Sequence, residues 1–173
     1  PKLNYTQYFT DEKGFNRMFV VTTIYKASSG RLFLGTWEGL LFIFDETKKN
    51  FVALSKADGQ LPQSENLSIF SIIEDHTGEL WVGVNGGGVL NLRVQNNIIV
   101  SEKQFTEKEG LTSNFVTQLY QTRNHAIWIG TEKGLTKWEN NQLTSVFDPN
   151  MNFDIQSLIE DPIGFLWIGT PKG

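Results

Sequence analysis

The chain has 173 residues, a net charge of −4 and no cysteine, and 39% of it is hydrophobic and 13% aromatic. That composition excludes a disordered chain, disulfides and thiolate chemistry, and no apolar run approaches the roughly 20 residues that cross a bilayer, so no direct membrane contact is expected. Basic residues scattered over an acidic background leave no electrostatic footprint for nucleic acid.

Residues 4–9 alternate aromatic and polar side chains, the period-2 pattern of a half-buried strand, and predict a lone outer strand within residues 1–10. After a polar turn at 11–16, the β-branched run Phe19 to Tyr25 turns at Ser28-Ser29-Gly30 into Leu32-Phe33-Leu34, a hairpin. Strands at Leu40 to Phe44 and Phe51 to Leu54 complete a four-stranded unit over 19–56. The order repeats over 68–105, with strands at Ser68 to Glu74, Leu80 to Val84, Val89 to Val94 and Ile98 to Phe105. It repeats again over 115–147, at Phe115 to Gln121, Ile127 to Thr131, Leu135 to Trp138 and Leu143 to Phe147. An incomplete unit, 153–173, supplies Phe153 to Glu160 and Leu166 to Thr170. No stretch holds a 3.6-residue apolar period over helical length.

One phrase recurs in every unit. Gly-Arg-Leu-Phe-Leu-Gly-Thr at 30–36 returns as Gly-Glu-Leu-Trp-Val-Gly-Val at 78–84, His-Ala-Ile-Trp-Ile-Gly-Thr at 125–131 and Gly-Phe-Leu-Trp-Ile-Gly-Thr at 164–170. Its aromatic anchors, Phe33, Trp81, Trp128 and Trp167, lie 48, 47 and 39 residues apart, with aliphatic residues 12 positions earlier (Val21, Ile69, Val116, Ile155) and 9 earlier (Ile24, Ile72, Leu119, Leu158). Four short strands per period of this length is the blade of a β-propeller. The expected fold is therefore all-β, a partial ring of about four four-stranded antiparallel blades, with the anchors in the core. The glycines two residues after each anchor, Gly35, Gly83, Gly130 and Gly169, would let neighbouring backbones approach closely. Those six after it, Gly39, Gly87, Gly134 and Gly173, fit a turn with positive φ. The strand count leaves open blade edges, so the chain is expected either to lie within a longer ring or to self-associate, two partial rings closing one.

At Leu-Trp-Ile/Val-Gly-Thr-x-x-Gly the sequence resembles the two-component regulator propeller repeat. Residues 107–116, ahead of the third unit, and 72–81, its first hairpin in the second, resemble the same family. Phe33 in place of tryptophan, Val84 in place of threonine and the extra glycine in Gly86-Gly87-Gly88 depart from the pattern. The resemblance implies a noncatalytic periplasmic (extracytoplasmic) sensor domain of an inner-membrane receptor, commonly for oligosaccharides. Its histidine kinase or cyclase output would lie outside this chain.

The residues themselves offer little catalysis. Glu74-Asp75 and Glu160-Asp161 end inner strands, where Asp starts a turn on its own backbone and adjacent side chains point to opposite faces. The glycine run at 86–88 precedes a strand and not the helix a phosphate loop needs. His76 and His125 sit in equivalent turns, 49 residues apart, and are expected to be exposed turn residues and not metal ligands. No catalytic residue, cofactor or metal is assigned. A ligand site, if present, falls on the face of the loops that lead into each first strand and join the second strand to the third. The candidates there are Arg17, Trp37, Glu38, Asn85, Asn114 and Lys133, with Trp37 suited to stack on a sugar or to pack on the neighbouring loop. Further residues expected at that face are Phe15, Asn16, Asn66, Glu132, Asn152 and Lys172. The alternative to ligand sensing is a propeller scaffold for protein partners or dimerisation.

Overall fold

The structure, a computed structural model, describes residues 9–10, 16–17, 19–60, 67–146 and 153–172. The described residues contain strands and turns and no helix. A first hairpin pairs β1 (Phe9–Thr10) with β2 (Asn16–Arg17). In the expected outer strand at 4–9, Phe9 is paired with Arg17 of β2, a short strand that begins at the last residue of the turn expected over 11–16, and the outer strand's other residues lie outside the described ones.

Blade 1 is β3 (Val21–Lys26), β4 (Leu32–Thr36), β5 (Leu41–Asp45) and β6 (Asn50–Ala53), each antiparallel to the next. After Leu54, fully buried, β7 (Ser55–Lys56) crosses to the next blade. Blade 2 is β8 (Ile69–Glu74), β9 (Leu80–Val84), β10 (Gly88–Gln95) and β11 (Ile98–Phe105), with β7 added parallel to β11 as a fifth strand. Sequence reading assigned no such strand. An ion pair of 2.7 Å from Lys56 Nζ to Glu102 Oε2 fastens it. Blade 3 is β12 (Val116–Gln121), β13 (Ile127–Thr131), β14 (Gly134–Glu139) and β15 (Gln142–Ser145), and blade 4 is the hairpin β16 (Ser157–Glu160) and β17 (Leu166–Gly169). The expected strand start at Phe153 moves to Ser157, and Phe147 lies outside the described residues.

The first strands of successive blades adjoin one another, β3 with β8, β8 with β12 and β12 with β16, so they form the inner layer. In β3, β8 and β12 the ladder to the second strand skips a residue, at Thr22, Phe70 and Thr117. A bulge of this kind re-aims a side chain. The Thr22 and Thr117 hydroxyls donate to the Ile69 and Ile155 carbonyls of the next blade.

The recurring phrase acts between blades. Each anchor faces the blade that follows it: Phe33 joins Leu80 and Leu92 in one cluster, Trp81 joins Ile127 and Ile129 in a second, and Trp128 packs with Ile155 and Leu158. Burying such a side chain contributes about 1.5–3 kcal/mol. No described blade follows β17, and there the expectation of a core anchor is corrected: Trp167 is 63% exposed. The aliphatic residues nine positions before the anchors face the preceding blade, so Ile72, Leu119 and Leu158 are buried while Ile24, with no described blade before it, is 69% exposed.

The glycines two after the anchors sit where those faces meet. A Cβ on Gly35 would stand 2.5 Å from Ile69 Cγ2, on Gly83 2.8 Å from Val116 Cγ1, and on Gly130 2.6 Å from Ile155 Cγ2. The three neighbours are the aliphatic residues found 12 positions before an anchor, which accounts for that fixed offset. On Gly169 the obstacle is Ser157 of the same blade. Of the turn glycines, Gly39 and Gly134 have φ of +81° and +136°. In blade 2 the extra residue moves the left-handed positions to Gly86 and Gly88, and Gly87 is not among them.

Candidate functional site

The carboxylate pairs Glu74-Asp75 and Glu160-Asp161 are the motif with the makings of acid–base chemistry. Asp75 Oδ1 accepts from the Thr77 amide (2.8 Å), the Thr77 hydroxyl (2.6 Å) and the Glu79 amide (3.1 Å), closing the turn after β8. Its Oδ2 accepts from the Trp81 indole N–H at 2.8 Å. Asp161 does the same for Trp167 at 3.0 Å. Burial pushes the Asp75 carboxyl up, but the bonds from Thr77, Trp81 and the turn amides outweigh it and hold the group below its ordinary value. Such a carboxylate is a fixed acceptor and a poor proton donor near neutral pH.

Glu74 and Glu160 point the other way and tie each blade to the one before. Glu74, with its side chain 4% exposed, accepts from the Ser28 amide (3.1 Å) and hydroxyl (2.7 Å) and from the Arg31 guanidinium (3.2 Å). Glu160 accepts from the Arg123 amide at 2.9 Å and lies 3.5 Å from its Nε. Blade 3 has Gln121 at this place, reaching His76 Nδ1 at 3.3 Å. All four carboxylates are thus committed to turns and blade junctions.

The indole partnership is a signal that sequence reading missed. Aspartate stands six residues before tryptophan in copies two and four, whereas copy one has Ala27 before Phe33 and copy three Thr122 before Trp128. The donor and its acceptor are both absent from the first pair. In the third the donor remains, and the Trp128 indole nitrogen is buried without a partner. His76 and His125 are both exposed, and their rings stack at 4.2 Å across the junction of blades 2 and 3.

The loop face brings five of the six candidates onto one side of successive blades. Trp37 is 57% exposed, yet its ring meets Phe70 of the next blade edge-on at 6.0 Å, its amide bonds the Val20 carbonyl, and its carbonyl accepts from Ser68 Oγ at 3.0 Å. Glu38 Oε1 lies 3.5 Å from the Val20 amide, while Oε2 is buried with no partner. Asn85 donates its amide to Ser68 and bridges to Phe115. Asn114 braces the neighbouring loop: its Oδ1 accepts from the Glu107 amide at 2.8 Å, and its carbonyl accepts from Gly86 and Gly88. Exposed Lys133 pairs with Glu132 at 3.7 Å, and Glu132 Oε1 also accepts from Ser113 Oγ. Arg17 lies in β2, paired to Phe9, and not in the loop expected for it. Phe15, Asn66 and Asn152 lie outside the described residues. Among the described residues no cluster of three potential metal ligands occurs, and no helix is long and apolar enough to cross a membrane.

Sheets joined inner strand to inner strand, with glycine at each junction, define a segment of a β-propeller. Two stretches of it, 63–86 and 110–133, match the model of the two-component regulator propeller family. No curated protein matches the chain. Among solved structures it is similar to the extracellular domain of BT3049 of B. thetaiotaomicron, described as a hybrid two component system, at 26% identity and a TM-score of 0.72 over 94% of this chain. The corresponding domain of BT4673 from the same organism gives 21% identity and a TM-score of 0.69 over 90%. Virginiamycin B lyase from Staphylococcus aureus shares the fold at 13% identity, with a TM-score of 0.65 over 86%. The chain spans 22% of the length of each solved B. thetaiotaomicron extracellular domain and 48% of the lyase.

Proposed function

We propose that this propeller segment belongs to the extracytoplasmic sensory domain of a two-component receptor in a bacterial inner membrane, and that its signal is a saccharide. The observation that carries the reading is the family repeat itself, joined to a likeness to extracellular domains of two-component systems. The segment is noncatalytic in this reading, because the carboxylate pairs that would serve acid–base chemistry are bound up in turns and blade junctions. The loop face with half-exposed Trp37, flanked by Glu38, Asn85 and Lys133 and braced by Asn114, supplies the aromatic surface and polar groups that a sugar uses.

The flanks of the segment carry apolar surface: Val20 and Ile24 beside β3, and Ile159, Phe165 and Trp167 on blade 4, each at least 60% exposed. Ile24 and Trp167 repeat positions whose counterparts, Ile72 and Leu119 and Phe33 and Trp81, are buried between blades, so the natural cover of these faces is further blades of one ring or a second copy. Ligand binding would then act by favouring one packing of propellers over another, biasing an output across the membrane. Calorimetric titration of the receptor's extracytoplasmic region with a panel of oligosaccharides is expected to find one saturable ligand. No saturable ligand, from a receptor that still responds to its signal in cells, would reject direct sensing and leave the scaffold reading.

A further inference from the structure

Between blades 2 and 3 a cleft of about 500 Å³ opens among the turns after β8, β12 and β14, on the face opposite the loops that carry Trp37. Its aromatic wall is continuous: Trp81 stacks on Phe105 at 5.6 Å, and both meet Trp138, 5.5 and 4.8 Å away. Beside them lies Asn91, 7% exposed, whose carboxamide nitrogen is buried and bonds to nothing. A buried donor left without a partner keeps the full cost of leaving water.

The repeat provides an internal comparison. Asn91 is paired across the sheet with Trp81 on one side and Lys103 on the other. The same row in blade 1 is Phe33, Ile43 and Val52, and in blade 3 it is Trp128, Lys137 and Thr144. In blade 1 the row is apolar and closed, with Phe33 and Ile43 fully buried against Leu80 and Leu92 of the next blade. In blade 3 Lys137 lies over the Trp128 ring at 5.6 Å and pairs with Glu139. Blade 2 places a neutral amide there with no protein group to satisfy it, at the back of an open cleft.

Charge narrows what would fill the space. Asp75, Glu79 and Glu139 face one lysine, Lys103, which disfavours an anion. Each of these carboxylates already has a partner, in Thr77 and Trp81, Arg93 and Lys137 respectively, which removes the anchor for a cation. What remains is an amide that donates and accepts, exposed polar groups at the rim, and the half-buried ring of Trp138. That set suits a neutral ligand with several hydroxyls and one apolar face, and the volume lies within the range of about 300–1,000 Å³ common to ligand pockets.

We propose that this cleft binds a neutral saccharide of one or two rings, with Asn91 bonding a ring hydroxyl and Trp138 offering the stacking face. The cleft rests on its own lining, and only the choice of probe rests on the saccharide reading above. The test is calorimetric titration of the receptor's extracytoplasmic region with neutral mono- and disaccharides, for the wild type, Asn91→Ile, Lys103→Ala and Trp37→Ala. Asn91→Ile copies the closed row of blade 1, so its Tm is expected at or above that of the wild type while Kd weakens about tenfold or more. Lys103, exposed at the rim of the cleft and paired across the sheet with Asn91, offers an ammonium donor to a ligand hydroxyl, so Lys103→Ala is expected to weaken binding as well, and it decides the matter should Asn91→Ile fail to fold. Binding lost in Trp37→Ala but intact in Asn91→Ile and Lys103→Ala would overturn the cleft and keep the saccharide reading. A more stable Asn91→Ile with unchanged Kd would mean that Asn91 is a solvated amide only and would overturn the proposal. No saturable saccharide at all would remove both.

Discussion

Replacing Gly35 with valine is expected to destabilise the chain by about 3 kcal/mol or more, at the upper end of what overpacking costs. The first added carbon would stand 2.5 Å from Ile69 Cγ2, 2.9 Å from Ile69 Cβ and 2.8 Å from Thr23 Cγ2. None of these atoms can yield cheaply. Ile69 is fully buried in the cluster shared by blades 1 and 2, and Thr23 belongs to the inner strand of blade 1. Relief therefore requires blade 2 to move away from blade 1, which opens the contacts of Phe33 and Ile43 as well. Urea unfolding followed by tryptophan fluorescence measures the loss. A midpoint unchanged from wild type would show that the two blades are not held in contact at this point.

Asp75→Ala is the second large effect, also about 3 kcal/mol. It removes three bonds that shape the turn after β8 and leaves the Trp81 indole N–H, on a residue 2% exposed, without an acceptor. Asp161→Ala removes the equivalent indole bond together with the Ile163 and Phe165 amide bonds of its turn, but Trp167 is 63% exposed and water takes the place of the carboxylate, so the loss there should be clearly smaller than in Asp75→Ala. The contrast isolates the buried indole from the turn. The Asp75 carboxyl titrates below its ordinary value of 3.8 in the folded chain, so its stabilising contribution is present above that pH and fades as pH falls through the lower folded value. The gap in stability between wild type and Asp75→Ala should accordingly narrow below pH 3.8. Chemical unfolding at several pH values reads both effects, and equal losses in the two variants would contradict the account.

Much of the fold was legible because a repeat states the same constraint several times. Glycine two after an aromatic, with an aliphatic twelve before, recurs because the glycine of one blade meets that aliphatic of the next. What stayed hidden depends on contacts across units. Trp167 carries the same motif as Trp81, and its exposure follows from the lack of a described blade beyond it. The crossing of β7 to the edge of blade 2 has no local pattern, since two residues are too few for a period. For the candidate site, the sequence placed Trp37 and Asn114 on one loop face, and the bonds of Asn114 to Glu107 and to the glycine turn were not legible there because they run between loops. Asn91 was invisible for a different reason. Its oddness appears only when it is aligned through strand register with Ile43 and Lys137, and register cannot be counted until the turns are known.

The central claim, that the recurring glycine marks where one blade touches the next, is tested most directly by a double-mutant cycle at the second junction. A Cβ on Gly83 would meet Val116 Cγ1 at 2.8 Å, and the next obstacles stand at 3.5 Å. Trimming Val116 to alanine removes that contact and leaves room for the new carbon. Gly83→Ala is expected to be less damaging in the Val116→Ala background than in wild type, with a coupling of at least about 1 kcal/mol by urea unfolding. Strictly additive losses would mean that the two residues, 33 apart in sequence, do not meet.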